Sequence, residues 1–199
     1  MEIDPAHHLV GNSRGVLLAE PLAISAGFVV TPDRRLVIGC QADAGDSTPW
    51  ILCVPEEAPG GVQVLGEPTR IDVRVDGAVD RWIARHGPLR ELQLFALRIE
   101  SVRCGGRVWD AEEVRLENPI AKGEAALLRK LNTDAAALTR MCERASGVRL
   151  ERATAVGVDA WGLWIRGATT PIRIEFGGHA GDVAAAERAV AAFLQGEIP

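Results

Sequence analysis

The chain has 199 residues, 47% apolar and 25% charged, with 22 Lys and Arg against 27 Asp and Glu and a formal net charge of −5. That apolar content at low net charge excludes a disordered chain, and without a basic excess there is no electrostatic footprint for nucleic acid. The length suffices for one domain or two small ones, with a core large enough to need no staple.

The N-terminal MEIDPAHH is acidic where a signal peptide would be basic, and the most apolar early stretch, 15–30, is broken by Glu20 and Pro21. A cytoplasmic protein without membrane contact is the expectation. The first element is a short helix, with Asp4 placed to cap it and Pro5 at a first position that needs no amide hydrogen. His7 and His8 fall on adjacent sides of that turn. Residues 15–75 then run in short Val, Ile and Leu stretches punctuated by Gly and Pro. This predicts strands at 15–20, 27–30, Leu36–Cys40, Trp50–Val54, 61–65 and 69–75. Such spacing suits a barrel or sandwich rather than a parallel sheet with crossover helices.

Helical period returns over Ala78–His86, with Val79, Trp82, Ile83 and His86 on one face and Gly87-Pro88 as the stop. A strand pair at 92–102 and 108–114 turns at Gly105-Gly106. In its first member Leu94, Ala96 and Arg98 alternate with Phe95, Leu97 and Ile99, a pattern for burial largely on both sides. Asn118-Pro119 makes a turn, and 124–145 reads as helical, with Asn132 or Thr133 capping a second helix that Gly147 stops. Strands at 152–158, 162–165 and 171–176 follow, the first two joined by Asp159-Ala160-Trp161-Gly162. Asp182 caps a last helix, Val183–Gln195. The fold class expected is therefore α+β: a barrel over residues 1–117 and a small α-α-β-β-β-α domain over 118–199.

The motifs of common enzyme classes are missing. The Gly-Gly pairs at 60–61, 105–106 and 177–178 lack the spacing of a nucleotide fingerprint, and there is no phosphate-loop, H-E-x-x-H or G-x-S-x-G motif. Cys40, Cys53, Cys104 and Cys142 form no C-x-x-C pair and read as reduced, mostly buried thiols. Glu56-Glu57, and Asp110 with Glu112-Glu113, read as solvated edges. Trp50, Trp82 and Trp161 read as packing, with a tryptophan wall for a flat ligand as the alternative.

Histidine is the side chain best suited to ligate iron or to move a proton near neutral pH. His86 closes a helix, where the dipole favours a charged ring. His7 and His8 sit on a terminal helix, where ligation needs a partner to hold them. His179 differs. It lies in Gly177-Gly178-His179-Ala180-Gly181, between a strand and a helix N-terminus, where flanking glycines leave room for a close ligand.

Three further stretches carry a family resemblance: Leu131-Asn132-Thr133-Asp134, Ala155-Val156-Gly157-Val158-Asp159-Ala160-Trp161-Gly162-Leu163, and Pro171-Ile172-Arg173-Ile174-Glu175-Phe176. With them the C-terminal half resembles the domain of unknown function appended to HugZ-type haem-degrading proteins and their haem-binding relatives. The first half is similar to the FMN-binding-like split β-barrel of those proteins. Its matching stretches are Val64-Leu65-Gly66-Glu67-Pro68-Thr69, the helix and turn from Trp82 to Pro88, and Leu94-Phe95-Ala96-Leu97-Arg98-Ile99 with Gly105-Gly106. The resemblance spans roughly residues 10–195. It implies a homodimer with haem near the subunit interface, His179 as iron ligand, and Arg166 and Arg173 on the propionates. Two departures stand out. Ala135 replaces a histidine frequent in the family, and Gln41 to Pro49 shows no clear flavin-phosphate motif, which sets FMN behind haem. The function expected is haem binding, with oxygenation of haem or of another substrate. A non-catalytic haem sensor or carrier, a flavin oxidoreductase and an empty barrel are the alternatives, and His7, His8, His86 or a cysteine the alternative ligands.

Overall fold

In the computed structural model, which describes residues 4–41, 49–55, 61–168 and 171–196, the N-terminal helix α1 (Pro5–Val10) starts as its sequence dictates. The Ala6 amide donates to the Asp4 side chain, and Pro5, Ala6 and Leu9 turn inward. Strands β1 (Arg14–Ala19), β2 (Leu22–Val30), β3 (Leu36–Cys40), β4 (Trp50–Val54) and β5 (Val62–Arg70) follow. Helix α2 (Ala78–His86), β6 (Gln93–Cys104) and β7 (Arg107–Asp110) complete this part. The sheet order is β3-β2-β1-β4-β5-β6-β7, and β3 also pairs with β6. Six antiparallel strands therefore close into a barrel, with β7 as an extra strand on β6. Closure leaves β1 to β6 with a neighbour on each side.

Alternation fills the barrel. Leu17 and Ala19 of β1, Leu52 and Val54 of β4, and Val62 and Val64 of β5 point inward, while their neighbours are at least partly exposed. Trp50 and Phe95 meet edge to face at the centre, ring centroids 5.0 Å apart. β3 is buried on both faces: Leu36 and Ile38 join the barrel core, and Val37 joins Val79, Trp82 and Leu94 in a second cluster under α2. Gly39 makes that packing possible, because a Cβ there would come within 2.3 Å of the Trp82 ring.

Two expectations change here. Residues 61–65 and 69–75 are not two strands: β5 runs unbroken to Arg70 through a bulge at Leu65/Gly66. Gly66 belongs there because a side chain would meet the Arg98 carbonyl at 2.4 Å. Pro68 is tolerated because pairing with β4 ends at Gly66, so no ladder bond is lost on that side. Beyond Ile71 turn chemistry wins: the Asp72 carboxylate accepts the Arg74 amide, and the Asp72 carbonyl accepts those of Val75 and Asp76. The buried face of α2 is also rotated from the one expected. Ile83 is 39% exposed while Arg85 is buried, since the seat of Trp82 over Gly39 sets the helix's rotation.

The chain divides into two compact units, Met1–Ile83 with Gly87–Glu117, and Ala84–His86 with Asn118–Pro199. In the second unit α3 (Glu124–Thr133) and α4 (Ala135–Ser146) precede β8 (Thr154–Asp159), β9 (Gly162–Arg166) and β10 (Pro171–Glu175), and α5 (Val183–Gln195) ends it. The strands form an antiparallel sheet ordered β10-β9-β8. One face carries Leu163, Ile165 and Ile174 into a core with Leu127, Leu131, Met141, Val190 and Phe193. Asp182 caps α5 as expected, accepting the Ala185 amide. The cap of α4 is Asp134, whose carboxylate accepts the Ala137 amide, rather than Asn132 or Thr133.

Asn132 has another task. Its side chain donates to the Ala155 carbonyl at 3.0 Å and accepts the Ala155 amide at 2.8 Å. Two turns earlier on α3, the Glu124 carboxylate accepts the Val158 amide, and the Asn118 side chain donates to the Val158 carbonyl. β8 is an edge strand, so α3 and its lead-in supply the partners that a further strand would have supplied. No helix of the described residues is long and apolar enough to cross a membrane.

Candidate functional site

His179 stands on a loop pinned at both ends. The Phe176 amide donates to the Trp161 carbonyl and the Ala180 amide to the Ala160 carbonyl, so residues 177–179 arch over the β8–β9 turn. Gly177, with φ of +74°, opens the arch in a conformation that favours glycine. The turn is itself fixed: Asp159 accepts the Trp161 amide, and a side chain at Gly162 would meet the Ile174 carbonyl at 2.2 Å. The His179 ring is exposed and meets Trp161 edge-on, centroids 5.0 Å apart. Neither of its nitrogens has a hydrogen-bond partner among the described residues.

Arg173 behaves differently from the expectation. It lies opposite Trp164 on the sheet face turned away from α3, α4 and α5, with a side chain only 10% exposed. Its Nη2 donates to Asp159 Oδ1 at 2.7 Å, its Nη1 to Asp159 Oδ2, and its Nε to Glu175 Oε1 at 3.0 Å. Burial works against its charge, but the hydrogen bonds and charges of Asp159 and Glu175 outweigh it and raise the pKa above the ordinary guanidinium value. The fork expected on a propionate is closed on a carboxylate of the chain itself. Trp164 beneath it also carries the Arg85 guanidinium, 4.1 Å from the ring centroid.

Arg166 is half-buried at the far end of β9, paired with Pro171 and Thr154. Gly162 begins the same strand beside the His179 arch, so the two backbone positions are roughly 13 Å apart along it. Arg166 and Arg173 thus lie in the sheet and His179 on the loop beyond it, with Arg166 at the opposite end of β9 from that loop.

The other histidines are more confined. His7 and His86 have interactions of their own, and His8 is half-buried with Nε2 covered and without a hydrogen-bond partner. Burial, then the charge of His7, lowers the pKa of His8 and favours its neutral ring. None of the four cysteines is in a disulfide, and burial raises the pKa of each, that of Cys40 to about 11. As thiols at neutral pH they are poor ligands. No group of three or more His, Cys, Asp or Glu among the described residues is placed to hold a metal ion. Glu113 accepts the Asp110 amide in an exposed turn, as a solvated edge would; Glu56-Glu57 and residues 42–48 lie outside the described residues.

Sequence reasoning missed the Asp159–Arg173 pair and the clamp of Asn132 on β8. The first needed the β9–β10 register, and the second a helix placed along an edge. It also missed a cleft of the first unit lined by Arg70, Arg74 and Arg90. These arginines come from two segments separated by α2.

No family model matches the chain, and no curated protein matches it. Among solved structures, the protein Atu2129 of Agrobacterium tumefaciens str. C58, of unknown function, is similar over 94% of this chain and 92% of its own, with a TM-score of 0.67 and 17% identity. That is a likeness of fold. A haem-binding protein from Mycobacterium smegmatis aligns over 96% of this chain and 95% of its own, with a TM-score of 0.41 and 16% identity.

Proposed function

We propose that this chain is a haem-binding protein of the HugZ type, built on a split barrel, with His179 as the axial ligand of the iron. The reading rests on the order of the motifs along the chain and on one observation. His179 is an exposed imidazole with neither nitrogen hydrogen-bonded among the described residues, on a loop fixed at both ends and backed by Trp161. An imidazole already held in place is what iron ligation asks of a side chain.

The residues fit haem at the axial position better than at the propionates. Arg166 remains the propionate partner in this proposal, and Arg173 joins it only by exchanging Asp159 for a propionate. If haem is bound through His179, the group would supply the oxygen chemistry on which degradation of haem or oxygenation of a second substrate depends. Haem oxygenation and a homodimeric assembly are further parts of the proposal.

Titration of the purified protein with haemin, followed in the Soret region, tests it. Saturable one-to-one binding is expected, and His179→Ala should abolish it without lowering the melting temperature, because the ring is exposed. An absence of any Soret shift, or a shift that His179→Ala leaves intact, overturns the assignment. A yellow protein with flavin absorbance would favour the FMN alternative. Ascorbate under air then separates a haem-consuming enzyme from a carrier.

A further inference from the structure

The first unit has a cleft of about 630 Å³ that the haem reading does not use. Two segments form it, residues 70–74 from the end of β5 onward and residues 89–94 through the start of β6. They are fastened together by the Ile71 amide donating to the Leu94 carbonyl at 2.9 Å. Val73, Leu89 and Leu92 contribute its apolar side, and Arg70, Arg74 and Arg90 its charge.

Those arginines have no carboxylate partner among the described residues. Elsewhere in the same unit, Arg34 pairs with Glu117, Arg35 with Asp33 and Asp76, and Arg98 with Glu67. In a chain with more acids than bases, three unpaired guanidinia around one cleft mark a place where positive charge is concentrated. Asp72 also lines the cleft, but its carboxylate accepts the Arg74 amide and holds the turn.

Arg90 follows Leu89 in a turn closed by the Leu92 amide on the Leu89 carbonyl, and its φ is +51°, a positive value shared with Arg34 and Arg152. A long side chain carries some backbone strain there.

We propose that this cleft binds a small organic phosphate monoester, its phosphate among Arg70, Arg74 and Arg90 and its apolar body on Val73, Leu89 and Leu92. A guanidinium fork matches phosphate oxygens in pairs, and a dianion with three terminal oxygens can engage three forks where a carboxylate has two oxygens to share. The volume lies in the range of small-molecule sites.

Phenyl phosphate is the probe, with benzoate and inorganic phosphate as controls, measured by calorimetry and thermal shift. Phenyl phosphate should bind saturably and more tightly than either control. Arg90→Gly is the informative variant, since glycine relieves the strained φ while removing the guanidinium. Its affinity should fall about tenfold or more, as loss of a charge-assisted bond implies, while its ligand-free melting temperature holds or rises. Arg74→Ala should weaken binding in the same direction. Unchanged affinity in Arg90→Gly, no saturable binding in the wild type, or benzoate or inorganic phosphate binding as tightly as phenyl phosphate would each overturn the proposal. A lower melting temperature in Arg90→Gly would show that the arginine serves the turn, and would overturn it too.

Discussion

The two units solve the same problem, unpaired strand edges, in opposite ways. The barrel of the first unit closes β3 on β6, so its six strands satisfy one another through backbone alone. The second unit has an open sheet of three strands, and side chains must finish the work: Asn132, Glu124 and Asn118 bond the outer groups of β8. Charge is spent accordingly. The second unit holds Arg173 and Asp159 together in a nearly buried pair, whereas the first keeps the Arg98–Glu67 pair on its surface and has three arginines around a cleft with no carboxylate partner among the described residues. Closure by backbone frees polar side chains for other uses, and closure by side chains consumes them.

Breaking the buried pair should have the largest effect on this contrast. Arg173→Ala leaves Asp159 with an uncompensated charge and is expected to cost about 3–5 kcal/mol in urea unfolding of the second unit. Arg173→Met, which restores apolar volume, should cost less than Arg173→Ala if packing over Trp164 matters. Arg98→Ala in the first unit should leave the melting temperature where it was, since both members of that pair are well exposed. Equal losses at Arg173 and Arg98 would remove the distinction between the units.

Next is the edge clamp. Asn132→Ala strips partners from both the amide and the carbonyl of Ala155 and should cost about 1–3 kcal/mol. Hydrogen exchange sharpens this, because the Ala155 amide should lose protection before those of β9 do. Protection kept at Ala155 would mean that water replaces the side chain at no cost.

The smallest effect belongs to acid. The Arg35 hydrogen bond, then the Ala78 amide, hold the Asp76 carboxyl below its ordinary value of 3.8. A depressed folded pKa adds stability that is complete above the unfolded value and is lost as pH falls through the folded one. The wild-type advantage over Asp76→Asn in urea midpoint should therefore be constant above about pH 5 and shrink progressively below it. An advantage unchanged down to pH 2 would exclude the pair as its source.

Local chemistry was legible wherever neighbours in sequence are neighbours in space. Asp4 and Asp182 cap their helices, Gly147 ends α4 with φ of +70°, and β3, β4, α2 and α5 have the bounds their patterns predict. Legibility failed where a distant strand decides. Pro68 argues against a continuous strand until β4 is seen to stop pairing at Gly66. Asn132 looks like a cap until β8 lies beside it. At the candidate site, the glycine-flanked loop made His179 conspicuous, whereas nothing adjacent to Arg173 announces Asp159, fourteen residues away.

By itself, the sequence determined the mixed α+β class, most element types and the setting of His179, because capping, periodicity and glycine spacing are short-range physics. Only the tertiary structure decided that the barrel closes, that Arg173 is spent within its own sheet, and that Arg70, Arg74 and Arg90 surround one cleft. Each of these depends on register or on backbone meetings across α2 or between strands, and a side chain's free charge is settled only after its neighbours have been assigned.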